Sequence, residues 1–377
     1  MVLPGTKMRG LVALLLLLAA SATTLAACGS NDEHTSAVAT TPPATTTPAA
    51  DEKWKKIVPG GDCECADGSQ FVFWERRADP TKVVFFLDGG GACFDAETCA
   101  FTGLGAGGEE TYDWKITDDP ADEDGIFNFA RADNPFRDYS FFYVPSCTGD
   151  AHLGDVTRKY SPRLTVEHKG FVNGTAALNH LAENYPDAAQ VVVVGKTVGS
   201  VAAPVYGGLV ADLLPDAQVT VFGGQSGSIP DDPELNARFF GELWRAYDNM
   251  PDWEVNEGLT ARDWGAPRFW IQAGLHDPEI VFARFDYAYD ESAARGAASM
   301  GRDPSKLLAV IDANEAAIEK AGVDLHSYTA PGDGHGIFEY PKFYELEVNG
   351  EKLVDWVRTL IEGKPVTDVH CRKCRIG

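Results

Sequence analysis

Val191-Val192-Val193-Val194-Gly195-Lys196-Thr197-Val198-Gly199-Ser200 is the stretch on which the fold turns. Four β-branched residues in a row, with no polar alternation, read as a strand buried on both faces. Such strands belong to parallel sheets covered by helices on each side. A glycine-bracketed turn follows, and Ser200–Leu214 continues as a helix. Strand, turn and helix in that order have the frame of a nucleophile elbow, G-x-S-x-G, with Thr197 where serine is usual. The glycines let strand and helix approach while the central side chain is thrust outward. Lys196-Thr197 also looks like the end of a phosphate loop, but G-x-x-x-x-G-K-[ST] needs a glycine where this chain has Gln190.

Outward from this stretch the same alternation recurs. Val83–Leu87, Phe141–Val144, Val219–Phe222 and Ile280–Phe285 are further apolar, β-rich runs. Thr175–Asn184 and Ser305–Ala321 have helical spacing, the latter with Leu307, Leu308, Ile311, Ala316 and Ile318 on one stripe. Strands alternating with helices imply an α/β protein with a mostly parallel sheet. From residue 53 to 377 there is no second linker and no internal repeat, so this span reads as a single domain.

Function in such sheets collects where strands end. Val83–Leu87 runs into Asp88-Gly89-Gly90-Gly91-Ala92, whose glycines free backbone N–H groups to face a ligand, as in an oxyanion hole; a tight turn explains them equally. Gly224-Gln225-Ser226-Gly227-Ser228 is a second serine-containing turn, weaker as an elbow because it lacks the second glycine of the frame. His335, between Gly334 and Gly336, follows the extended stretch His326–Thr329, taken as the last strand. Nucleophile, acid and then histidine is the chain order of one large class of hydrolase triads. Asp290 is the first candidate acid and Asp277 the second.

At the N-terminus, Lys7 and Arg9 precede the apolar run Leu11–Ala20, the layout of a secretion signal too short for the roughly 20 residues of a membrane span. Leu25-Ala26-Ala27-Cys28 resembles a bacterial lipobox, so residues 1–27 read as a lipoprotein signal peptide and Cys28 as the lipidated residue. Residues 28–52, rich in Thr, Pro and Ala, read as a flexible tether that holds the domain at the outer face of a cell membrane. Without residues 1–27 the chain has 30 basic against 56 acidic side chains, which excludes nucleic acid as a natural partner.

Cys63, Cys65, Cys93, Cys99, Cys147, Cys371 and Cys374 remain, an odd number that leaves at least one unpaired. Disulfides suit an exported chain, and the first expectation pairs Cys93 with Cys99 and ties Cys63/Cys65 to Cys371/Cys374. The two terminal pairs would also make a four-cysteine zinc site.

Asp62-Cys63-Glu64-Cys65-Ala66-Asp67-Gly68, Gly89-Gly90-Gly91-Ala92-Cys93, Asn134-Pro135-Phe136, Cys147-Thr148-Gly149-Asp150, Gly170-Phe171-Val172-Asn173 and Ala330–His335 together resemble the pectinacetylesterase family, in family order. That resemblance implies an α/β-hydrolase fold, no metal or other cofactor, and hydrolysis of a small-molecule or polysaccharide ester. It implies Thr197, Asp290 and His335 as catalytic residues, with the N–H groups of Gly91, Ala92 and Val198 as oxyanion donors. The departures are Thr197 and Val198 within the family's G-x-S-A-G, Gly224 and Gln225 within its G-D-S-S-G, and Ala293 where a glutamine follows the acid. Two readings follow: an extracytoplasmic carboxylic-ester hydrolase using threonine, or an impaired relative that binds an acylated sugar or lipid.

Overall fold

The computed structural model describes residues 53–102, 111–117 and 119–375. The signal segment, Cys28 and the tether lie outside these residues. In chain order the strands are β1 (Trp54–Ile57), β2 (Phe73–Arg76), β3 (Asp79–Leu87), β4 (Tyr139–Val144), β5 (Val156–Ser161), β6 (Leu164–His168), β7 (Gln190–Lys196), β8 (Gln218–Gly224), β9 (Val281–Tyr287), β10 (Leu325–Ala330), β11 (Glu347–Val348), β12 (Glu351–Lys352) and β13 (Val369–His370). The α-helices are α1 (Gly170–Asn184), α2 (Val198–Leu213), α3 (Pro233–Asn236), α4 (Ala266–His276), α5 (Glu291–Ser299), α6 (Leu307–Lys320), α7 (Lys342–Glu345) and α8 (Leu353–Ile361).

The main sheet has the order β1-β2-β4-β3-β7-β8-β9-β10-β13. From β4 to β13 every neighbouring pair is parallel, and only β2, near one edge, runs against the rest, antiparallel to both β1 and β4. This is the α/β-hydrolase arrangement expected from the sequence. Alternate residues of one strand feed two cores. Val83, Phe85 and Leu87 pack with α1, α2 and α4 through Leu178, Val205 and Trp270, among others. Val84 and Phe86 join a second cluster with Trp356, Val357 and Leu360 of α8. Burial on both faces is why the central strands are unbroken runs of Val and Phe.

Two expectations are corrected. The stretch ending at Thr329 is β10, but it is not the outermost strand: Val369–His370 adds parallel to it as β13. The cysteines pair as Cys65–Cys147, Cys93–Cys99 and Cys371–Cys374, leaving Cys63 free. Cys93–Cys99 is as anticipated. The proposed tie between the terminal pairs fails, and with it the zinc site, because Cys65 precedes β2 at one edge of the sheet while Cys371 follows β13 at the other. Cys65–Cys147, with a sequence separation of 82, closes a long loop. On chain-entropy grounds it stabilises the fold by about 4–5 kcal/mol. Among the described residues no helix is long and apolar enough to cross a membrane.

Candidate active site

Thr197 joins β7 to α2 with φ 48° and ψ −110°. A β-branched residue at positive φ is rare, and the backbone strain is about 1–3 kcal/mol. The neighbours enforce it. A Cβ on Gly195 would stand 2.4 Å from the Gly199 carbonyl oxygen, and one on Gly199 would stand 2.1 Å from that of Leu87, so both positions accept only glycine. The Thr197 N–H donates to the Gly224 carbonyl at 2.8 Å, which pins the turn to the end of β8. Its hydroxyl lies over the glycine loop: a Cβ on Gly89 would stand 2.5 Å from Thr197 Oγ1. The anticipated elbow is therefore present in backbone form.

The end of β9 and the end of β10 carry the other two candidates. Asp290 caps α5 by accepting the Ala293 N–H at 2.9 Å, so the position that departs from the family glutamine still serves the acid through its backbone. His335 Nδ1 lies 2.8 Å from Asp290 Oδ2 and 3.0 Å from Oδ1. The carboxylate is almost fully buried while the imidazole is about a third exposed (35 %), leaving the far side of the ring open. Three backbone bonds lace the two loops together: Ala288 N–H to Ala330 O, Tyr289 N–H to Gly332 O and Glu291 N–H to Asp333 O, all between 2.9 and 3.0 Å. Asp277 ends α4 ahead of β9, at the opposite end of the strand, and accepts the Glu279 N–H. Asp290, not Asp277, is brought to His335. Among the described residues no hydrogen bond joins Thr197 to His335; such contacts often tighten only when substrate binds.

Ser226, the competing elbow serine, is buried, and its Oγ lies 2.6 Å from Ser200 Oγ. It is a packing element of the β8 end. In the glycine loop, Gly90 and Gly91 have φ of 138° and 69°, and a Cβ on Gly91 would meet the Thr111 carbonyl oxygen at 2.1 Å. Val198 opens α2, where first-turn N–H groups have no helical acceptor. Val198 thus follows Thr197 at the helix start, and Gly89 of the β3 loop lies against its hydroxyl.

Beside the elbow lies a charged cluster that sequence reasoning did not single out. Lys196 Nζ is 3.3 Å from Asp88 Oδ1 and in ion-pair contact with Glu339 Oε1. Burial opposes the ammonium, but Asp88 and Glu339 together hold the Lys196 pKa well above its usual value. Burial pushes the Glu339 carboxyl up against the pull of Lys196. The available signal was a charge at the mouth of each apolar run: Asp88 after Val83–Leu87, and Glu339 after Ile337-Phe338.

Other signature residues turn out to be scaffold. Asn134 Nδ2 donates to the Ile126 carbonyl, Asn173 Nδ2 to that of Glu64, and Asp150 accepts from Thr148 Oγ1 and the Gly170 N–H. Complete burial pushes the Asp150 pKa up to about 6 despite these donors.

With this geometry in view, the parallel sheet and its elbow define an α/β-hydrolase fold. The pectinacetylesterase family model matches residues 57–235. The match includes the glycine loop and Thr197 but ends before Asp290 and His335. Among solved structures, the Wnt deacylase Notum from Drosophila is similar at a TM-score of 0.63 and 17 % identity, over 85 % of this chain and 97 % of that one. A second crystal form of the same protein gives 0.61 and 16 %, over 86 % and 97 %. No curated protein sequence matches.

Proposed function

We propose that the protein hydrolyses carboxylic esters outside the cytoplasm by acyl transfer through Thr197. The observation that carries this reading is the His335–Asp290 pair at adjacent strand ends, together with the forced positive-φ turn that lifts Thr197 out of β7. Asp290 accepts a hydrogen bond from His335 Nδ1–H, which leaves Nε2 to act as base. In the reaction, Thr197 Oγ1 bonds to the ester carbonyl carbon and its proton passes to His335 Nε2. The oxyanion is received by the N–H groups of Gly91, Ala92 and Val198. Collapse expels the alcohol, which takes the proton from His335. Water then attacks the acyl-threonine, again with His335 as base, and releases the carboxylic acid.

Threonine makes this a slow design. Its extra methyl restricts χ1 and crowds the attacked carbonyl, and misplacement by about 1 Å can cost a hundredfold in rate. Three disulfides favour an oxidising compartment, and the lipobox ending at Cys28 supplies an anchor there. The substrate is then an acylated envelope component. The net charge of −24, with Asp88 and Glu339 next to the elbow, disfavours a polyanionic polysaccharide and favours a neutral sugar or lipid ester.

The purified chain is tested against 4-nitrophenyl acetate beside Thr197→Ala and His335→Ala. Each substitution lowers turnover by roughly a hundredfold or more. A wild type no faster than Thr197→Ala defeats the enzyme reading and leaves a binding protein for acylated sugars or lipids.

A further inference from the structure

Lys196 stands between Gly195 and Thr197, so its backbone is part of the elbow itself. Its side chain reaches away from β7 toward two other loops. One is the glycine loop, where Asp88 Oδ1 receives Lys196 Nζ at 3.3 Å and the Gly89 N–H at 2.7 Å. The other is the histidine loop, where Glu339, four residues beyond His335, pairs with the same ammonium. Both carboxylate residues are 4 % exposed, so neither can fall back on water. Their remaining surroundings hold them still. Tyr143 donates its hydroxyl to Asp88 Oδ2 at 2.6 Å, and His152 Nε2 lies 2.8 Å from the Asp88 carbonyl. The Asp124 N–H donates to the Glu339 carbonyl at 3.2 Å, and the Ile126 N–H to that of Phe338 at 2.7 Å. The lysine also packs where the chemistry is: a Cβ on Gly89 would stand 3.2 Å from Lys196 Cε and 2.5 Å from Thr197 Oγ1.

One ammonium therefore touches all three segments whose relative position decides the reaction: the turn with the nucleophile, the loop with the oxyanion donors and the loop with the base. Removing a single partner from a buried charged cluster is far more damaging than its presence is stabilising, because the remaining charges are stranded. A salt-bridged lysine used only for stability would be poorly placed here, since a small apolar residue could occupy the elbow at lower desolvation cost. We propose that Lys196 is a positioning residue that locks the glycine loop, through Asp88, and the histidine loop, through Glu339, in register around Thr197. This rests on the ester-hydrolysis reading above and adds two residues to the machinery, Lys196 and Glu339, that act through others and do not touch substrate.

The test measures kcat, KM, the pH profile of kcat and the thermal unfolding midpoint for wild type, Lys196→Arg, Lys196→Met, Glu339→Gln and the Lys196→Met/Glu339→Gln double variant, all on 4-nitrophenyl acetate. Lys196→Met lowers kcat by roughly tenfold to a hundredfold with a smaller change in KM, as loss of alignment does. It also adds an ionisation to the kcat profile, that of Glu339, because burial and the nearby Asp88 charge push its carboxyl up and the lysine no longer opposes them. The double variant loses that added ionisation but stays slow, since the tie is gone. Lys196→Arg, which keeps the charge, recovers most of the rate. Glu339→Gln, which leaves the Lys196–Asp88 pair in place, lowers kcat without lowering the unfolding midpoint, and it carries the test if Lys196→Met does not fold. Wild-type kcat and pH profile in both Lys196→Met and Glu339→Gln, or in Glu339→Gln alone when Lys196→Met is unfolded, overturns the proposal. Absence of Thr197-dependent turnover in the wild type removes the hydrolase reading itself, and this inference with it.

Discussion

Two neighbouring strand ends invite comparison. After β7 the chain bends at Thr197 with φ 48°, and after β8 it bends at Gln225 with φ 60°, each a non-glycine residue in left-handed backbone. From there they diverge. Thr197 leads directly into the 16-residue helix α2 and stays partly exposed. Gln225 leads into Ser226-Gly227-Ser228, and both Gln225 and Ser226 are buried. The hydroxyl at 226 is spent on Ser200, whereas the hydroxyl at 197 stands over the glycine loop. A strained turn is therefore not sufficient for a reactive position. The helix start makes the difference, because it supplies unpaired N–H groups and carries the residue clear of the sheet edge.

The comparison is sharpened most by exchanging chemistry at each turn. Thr197→Ser removes the methyl without altering the relay, and turnover rises by roughly tenfold to a hundredfold if the rest of the site is intact. Ser226→Ala leaves turnover on the same aryl ester unchanged; a loss in Ser226→Ala matching that of Thr197→Ala would reverse the assignment of the two turns.

For stability the largest difference lies in the backbone packing of the flanking glycines. An added methyl at Gly199 meets backbone, the Leu87 carbonyl oxygen at 2.1 Å, while one at Gly227 meets side-chain atoms, Asp286 Oδ2 at 2.2 Å and Arg284 Nε at 2.8 Å. Gly199→Ala is expected to cost about 3–5 kcal/mol and Gly227→Ala clearly less, since a β-strand yields less readily than a side chain. Urea unfolding midpoints of the two variants decide this; equal losses would mean the elbow is no more tightly built than its neighbour.

The smallest effect is in the serine pair. Ser226→Ala strands the buried Ser200 hydroxyl and destabilises the protein by about 1–3 kcal/mol, whereas Ser200→Ala with Ser226→Ala costs less than the two single changes added together. Strict additivity in a double-mutant cycle would show that the 2.6 Å contact contributes nothing.

Much of the site could be read along the chain because its parts are marked by residues that local geometry demands. Gly195 and Gly199 bracket Thr197, a glycine run follows the apolar Val83–Leu87, and His335 lies between glycines after β10. Asp290 was already the first candidate from its place ahead of His335, and the structure separates it from Asp277 because the two aspartates lie at opposite ends of β9. Lys196, Asp88 and Glu339 were not assembled from the sequence: residue 88 and residue 339 meet only when β3 and the loop after β10 are brought to one end of the sheet.

The cysteines show the same division. Cys93 and Cys99 are close enough in sequence for a short loop to suggest their bond, whereas Cys65–Cys147 depends on where β2 and β4 lie in the sheet. What the order of residues decides unaided is what backbone and burial impose locally: valine runs that must be covered on both faces, glycines where a Cβ has no room, and a threonine at a forced bend. The partner of each long-range contact, from Asp290 with His335 to the two carboxylates on Lys196, is set by strand order. Residues far apart in the chain have no local preference for one another until a parallel sheet aligns their strand ends.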